Sequence, residues 1–209
     1  AYSPSEGYET SASGTDSHAE GLATSAEGTY SHAEGRNTKA SHYCSHSEGR
    51  DTKAEGENSH AEGYNTNASA FCSHSEGRLT IASGLCSHAE GYYAIAYGKY
   101  SHAEGDSSAQ GYYSHAEGKS SAQGDCSHAE GDSSAQGDYS HAEGSHTAAR
   151  GECQHVQGRY NKDNIDAAFL IGNGTDYNNA SNAFEVYWDG RVNIPSTGYY
   201  EINGERLKT

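Results

Sequence analysis

One pentapeptide, Ser-His-Ala-Glu-Gly, decides what this chain can fold into. It stands intact at Ser17-His18-Ala19-Glu20-Gly21 and returns, in that form or as Ser-His-Ser-Glu-Gly, from Ser31, Ser45, Ser59, Ser73, Ser87, Ser101, Ser114, Ser127 and Ser140. Degenerate copies flank the array: Ser3-Pro4-Ser5-Glu6-Gly7 before it and Gln154-His155-Val156-Gln157-Gly158 after it. The step is 14 residues from Ser3 to Ser101, 13 from Ser101 to Ser140, and 14 again to Gln154. A short fixed period with atypical end copies is the signature of a solenoid, in which each repeat buries its surface only against its neighbours.

The pattern inside a repeat sets the coil. In residues 31–44, Ser31, Ala33 and Gly35 alternate with His32 and Glu34; after Arg36-Asn37, Thr38 and Ala40 alternate with Lys39 and Ser41. Two period-2 segments of about five residues predict two short strands joined by tight turns. Glycine sits where a turn needs positive φ or where backbones approach closely. The small residues of both strands share one face and are expected to fill a thin interior. The second strand's outer face is variable (Lys39, Lys53, Asn67, Ile81, Ile95), as a solvated face is. The 13-residue repeats drop one residue between the strands, which changes a turn and keeps both small-residue faces.

The first strand's other face is constant and carries the candidate site. It places His18, His32, His46, His60, His74, His88, His102, His115, His128 and His141 in one column, and Glu20, Glu34, Glu48, Glu62, Glu76, Glu90, Glu104, Glu117, Glu130 and Glu143 in the next. By parity, the residue before each pentapeptide (Tyr30, Cys44, Asn58, Cys72 and so on) extends this face as a third column. A symmetry axis explains the constancy: side chains from several copies meet there and satisfy one another's hydrogen bonds. Histidine at three-fold symmetry is also a transition-metal arrangement, but catalysis needs one differentiated site rather than ten equivalent ones. The reading is a structural ladder, with no catalytic, cofactor or metal role assigned.

Composition agrees with self-association. Only 33% of the 209 residues are hydrophobic, 17 residues are Tyr, 26 are Gly and none is Met, with a formal net charge of -16. So little Leu, Ile, Val and Phe cannot offset the conformational entropy of a lone chain, which predicts a core completed between copies. The acidic balance argues against nucleic acid, which requires a basic footprint, and no apolar run reaches the length of a membrane span. Five cysteines exclude a closed set of intrachain disulfides. Cys72 and Cys86 lie on adjacent rungs within disulfide reach, and the thiols are read as reduced or paired between chains.

Residues 1–158 are therefore assigned to the solenoid and 159–209 to a small β-rich domain. In the latter, residues 167–172 and 183–188 read as strands, Asp189-Gly190 as a type I′ hairpin turn into residues 191–194, and Pro195 as a break. Tyr199 to Ile202 and Glu205 to Leu207, about Asn203-Gly204, suggest a last hairpin. Asn173 and Asn179 begin glycosylation sequons, and Asp189-Gly190 lacks the spacing of an EF-hand.

Two regions carry a resemblance. Asn58-Ser59-His60-Ala61-Glu62-Gly63 is similar to the Asn-Ser-Val-Ala-Ile-Gly head repeats of trimeric autotransporter adhesins, with His in place of Val and Glu in place of Ile. The array followed by Ile171-Gly172-Asn173-Gly174-Thr175, Ser181-Asn182-Ala183 and Trp188-Asp189-Gly190 resembles tail-fibre or tailspike proteins of phages of Gram-positive bacteria. The resemblance implies an all-β fold: a left-handed parallel β-roll, two short strands per 13–14-residue rung, as a homotrimer with the His/Glu columns on its axis. It further implies a non-enzymatic structural and adhesive rod of a phage tail fibre, located in the virion tail or on an extracellular surface. The partners expected are its own copies, other tail proteins and a host cell-surface glycan or protein, without nucleic acid or membrane insertion. The alternatives are a bacterial adhesin head and a tailspike depolymerase. For the last, the differentiated carboxylates Asp166, Asp176, Glu185 and Asp189 are the candidates.

Overall fold

A computed structural model describes residues 2–194 and, for the backbone alone, Glu201–Ile202 and Glu205–Arg206. It is all-β: parallel strands form a solenoid of about 12 turns, with no α-helix among the described residues. Each 14-residue turn has one long strand, such as His32–Arg36, and one short strand, such as Lys39–Ala40. The short strand is only two residues rather than the five expected, because tight turns close on both sides of it.

Register follows the repeat. His32 lies over His18 and under His46, Ala33 over Ala19, Glu34 over Glu20 and Gly35 over Gly21. Any slip by one residue would put the small residues outside. The expected faces hold for the Ser, Thr and Ala positions of the intact turns, but the pentapeptide glycine lies at the rim rather than inside, half-buried at Gly21 and Gly35 and exposed at Gly77 and Gly91, because its positive φ ends the alternation. Ala19, Ala26, Ala33, Ala40, Ala103 and Ala109 have no exposed surface, while Ser31 and Thr38 are at most 2% exposed. The interior is filled by Ala, Ser and Thr along the array, and larger apolar side chains enter it at the C-terminal end, where Val156 follows Ala142 and Leu170 follows Val156.

Hydroxyls complete this interior. The pentapeptide serine closes the turn before it: Ser17 Oγ donates to the Gly14 carbonyl at 2.8 Å and Ser31 Oγ to Gly28 at 2.7 Å. Where the pentapeptide alanine becomes Ser47 or Ser75, the new hydroxyl bonds Thr52 or Thr80 at 2.8 Å. In the 13-residue turns the interior Thr is replaced by Ser107, Ser120 or Ser133, each donating to a carbonyl of the next turn.

The two glycine positions differ in cause. Gly21 has φ +120°, and a Cβ there would lie 2.0 Å from the Gly35 carbonyl oxygen. Gly28 has ordinary φ, yet a Cβ would lie 1.9 Å from the His42 carbonyl oxygen. His42 stands at this position in the next turn with its side chain exposed, and its amide donates to Ser45 Oγ at 3.1 Å, as the Gly56 and Ala70 amides do to Ser59 and Ser73.

One sequence assignment is corrected. The residues before the pentapeptide do not extend the first strand. Tyr30, Cys44, Asn58, Cys72 and Cys86 have φ between +50° and +58° and form a corner. A left-handed residue ends the alternation, so this column lies on the turn rather than beside histidine on the pleat.

Beyond the array, Ala167–Asn173 pairs parallel with His155–Arg159 and antiparallel with Asn182–Tyr187, which pairs with Val192–Asn193. Only Gly190 has positive φ in the connecting turn, +86°. The turn is thus not type I′, which needs two such residues, but a turn ending in a glycine bulge. Glu201–Ile202 pairs antiparallel with Glu205–Arg206 as expected. The break at Pro195 and the turn at Asn203-Gly204, with Tyr199 and Leu207, lie outside the described residues.

Candidate functional site: a histidine and glutamate ladder

The parallel register turns a repeated His-x-Glu into columns. Each histidine stands on the long strand's outer face, and its ring lies flat against the rings of the turns above and below. Centroids are 4.7 to 5.0 Å apart, with planes within 1° to 17° of parallel, from His18 through His141. The stack is one ring longer than the intact motif predicts. His155, in the degenerate last copy, lies 4.6 Å from His141, and Phe169 closes the column edge-on at 5.1 Å. The signal for His155 was present in Gln154-His155-Val156-Gln157-Gly158, where histidine persists although glutamate does not. Phe169 has no motif to announce it.

The glutamates line the side toward which Nε2 points. His Nε2 and Glu carboxylate oxygens approach within 3.4 to 4.0 Å, as at His74–Glu76 and His18–Glu20. Some carboxylates serve two turns: Glu90 lies 3.8 Å from both His88 and His102. These contacts are too long for good hydrogen bonds and become ion pairs only where the imidazole is protonated. Among the described residues, eleven ladder Nε2 atoms, from His18 to His155, are shielded from solvent without a hydrogen-bond partner, although the side chains as a whole remain about 37% exposed.

Titration of the column is shaped by the stack. Burial first, and then the rings above and below, hold His32, His60, His88 and His115 below the ordinary imidazole range; neighbouring glutamates pull less strongly the other way. Burial is the larger cause, because it penalises the charged ring, and repulsion from the imidazoles directly above and below adds to it.

Groups such as His74, Glu76 and His88 bring three ligand atoms within 4.8 Å of one another. Two zinc–nitrogen bonds of about 2.1 Å span at most about 4.2 Å, whereas His74 and His88 stack with centroids 4.7 Å apart and planes 8° from parallel. Metal binding thus requires rings to tilt out of the stack. Chelator is expected to leave the melting temperature unchanged; a fall on chelation would make the ladder a metal ladder.

Outside the ladder, two further features are differentiated. Arg50, Tyr64, Arg78 and Tyr92 alternate along the edge after the pentapeptide, with guanidinium-to-ring distances of 5.0, 5.6 and 5.4 Å. A cleft of about 530 Å³ lies between the segment at residues 162–164 and the hairpin, lined by Asn182, Glu185, Tyr187 and Asn193 among others. Glu185 is 7% exposed. It accepts from Asn182 and Asn193 at 2.7 Å and from the Tyr187 hydroxyl at 2.9 Å. Burial works to raise its pKa, but these donors outweigh that and leave it below the ordinary carboxylate range. The other acidic candidates are placed differently: Asp176 caps a 3-10 turn, Asp189 pairs with Arg191 at 2.7 Å, and Asp166 is exposed. Sequence reasoning named Glu185 but missed its shell of amides, which comes together only across the hairpin.

No known protein family matches this chain, and no curated protein is similar to it.

Proposed function

We propose that the chain is a non-enzymatic, rod-forming segment that assembles as a homotrimer on its His/Glu face and serves as a structural and adhesive section of a phage tail fibre. The observation that carries the assembly is the unbroken column of stacked histidines, whose shielded Nε2 atoms lack partners on eleven successive turns. A face so regular and so incompletely bonded suits contact with identical faces, which repeat at the same spacing. The interior of Ala, Ser and Thr supports the same reading, because one coil alone buries few large apolar groups. About twelve turns at roughly 4.8 Å each make a rod of about 55 Å, whose mechanical role is to hold a receptor-contacting surface at a fixed distance and orientation.

The tail-fibre reading rests on the joint occurrence of the pentapeptide array and the Ile171-Gly172-Asn173-Gly174-Thr175 and Trp188-Asp189-Gly190 segments. The differentiated edge at Arg50 to Tyr92 and the cleft beside Glu185 are where receptor contact is expected, since repeated turns supply only scaffold. Sedimentation equilibrium tests the assembly. It should return three times 22.1 kDa with no folded monomer on dilution; a compact, β-rich monomer at low concentration would overturn it.

A further inference from the structure

All five cysteines occupy one column, the left-handed corner before the pentapeptide: Cys44, Cys72, Cys86, Cys126 and Cys153, with φ between +50° and +54°. All are free and exposed. The column is otherwise Asp, Tyr or Asn, so thiols here are not interior packing. Only two are on successive turns. Asn58 separates Cys44 from Cys72, and Tyr139 separates Cys126 from Cys153. Cys86 stands directly over Cys72: its amide donates to the carbonyl of Phe71 at 2.9 Å, and both residues have φ +51°.

We propose that Cys72 and Cys86 are an oxidisable dithiol that closes into a disulfide joining two successive turns, while Cys44, Cys126 and Cys153 stay free. The turn spacing of about 4.8 Å lies inside the Cα separation that disulfides accept, about 4.4–6.8 Å. Matching φ values leave the two Cα–Cβ bonds nearly parallel, so the Cβ atoms begin about 1 Å wider than a disulfide prefers. The closure required is small and falls at an exposed corner, where no layer of the described residues packs outside it. The thiols already sense each other: burial first, and then Cys86, pushes the Cys72 thiol above its ordinary range.

The chemistry balances with an external disulfide, R–S–S–R, as oxidant. One cysteine thiolate attacks a reagent sulfur, forms a mixed disulfide and releases RS⁻. The second thiolate displaces the other RS⁻, giving Cys72–S–S–Cys86. The two cysteines lose two electrons, the reagent gains them, and the two thiol protons leave with the two RSH formed. Because attack requires thiolate and the Cys72 thiol is held protonated, closure should accelerate with rising pH. The resulting staple joins two mid-rod turns that are otherwise held together by their parallel strand pairing.

The test uses the full chain equilibrated with oxidised glutathione and then alkylated. Mass spectrometry of unreduced digests should find a peptide pair joined through Cys72 and Cys86, with Cys44, Cys126 and Cys153 alkylated in the same sample. The thermal midpoint should rise on oxidation in the wild type and stay unchanged in Cys86→Asn, a substitution the corner accepts because Asn58 occupies it with φ +55°. Equal alkylation of all five thiols would overturn the proposal. So would a stable mixed disulfide on either cysteine, or wild-type links that join different chains.

Discussion

The corners place ordinary side chains in the left-handed region of the backbone. Twenty non-glycine residues have positive φ among the described residues, including Tyr100, Tyr113, Cys126 and Tyr139. A left-handed residue with an ordinary side chain costs roughly 1–2 kcal/mol, and Asn or Asp tolerates the region better. Tyr139 is 61% exposed, so little packing opposes its replacement. Tyr139→Asn is therefore expected to stabilise the fold by about 0.5–1 kcal/mol, read as a rise in thermal midpoint; a fall would mean the ring holds more than the backbone loses. Gly21→Ala should do the opposite, since it combines φ +120° with a Cβ placed 2.0 Å from the Gly35 carbonyl oxygen. A loss of at least about 1–3 kcal/mol is expected, and a neutral result would mean the turn has another conformation available. Glycine and serine roles were legible in the sequence because each is tied to one place in the period. The corner residues were misplaced because counting by twos does not register a left-handed residue that ends the alternation.

At the level of the turn, small size is the rule and length is negotiable. The 13-residue turns lose the second left-handed corner altogether. Asn37, Asp51 and Asn65 have positive φ, whereas Asp106 and Lys119, at the shortened bend, do not. The glycine before the bend relaxes with it, from φ between +100° and +122° in the longer turns to +84° or +85° at Gly105, Gly118 and Gly131. Both small-residue faces survive, as the repeat spacing implied, because the deletion lies between strands. The interior has no comparable tolerance. Ala103 is fully buried between turns, while Lys99 is exposed on a bend over Tyr112. Ala103→Leu must insert three heavy atoms into an interior filled by Ala, Ser and Thr, where overpacking costs about 1–3 kcal/mol or more. Lys99→Leu should change the thermal midpoint far less, and equal losses would mean that the inner and outer faces are exchanged. The C-terminal hairpin was legible as strands from its apolar runs. Its stacking directly on His155–Arg159 was not, because residues 159–166 carry no periodic signal to show where the next strand rejoins the ladder.

Over the whole molecule, the ladder ties stability to pH. The chain carries a formal net charge of -16, yet its most regular column is imidazole, and the stacked rings resist charge. His32, His60, His88 and His115 have folded-state pKa values below the ordinary value of 6.5. Near pH 6.5 and below, the unfolded chain binds protons that the folded chain refuses. Stability therefore rises with pH across that window, and acidification from 6.5 toward the folded values removes it. Above the window both states are neutral at these sites and the dependence vanishes. The adjacent glutamates oppose the effect by favouring imidazolium, but burial and ring-to-ring repulsion outweigh them at these four positions. The expected result is a thermal midpoint that is flat from pH 8 to about 7 and falls as pH drops below about 6.5. Replacing His60 and His88 by Gln should shallow that fall, because two of the resisting groups then no longer titrate. A midpoint that climbs on acidification would show that glutamate attraction governs the column, and that the stack is held together by imidazolium–carboxylate pairs rather than by neutral rings.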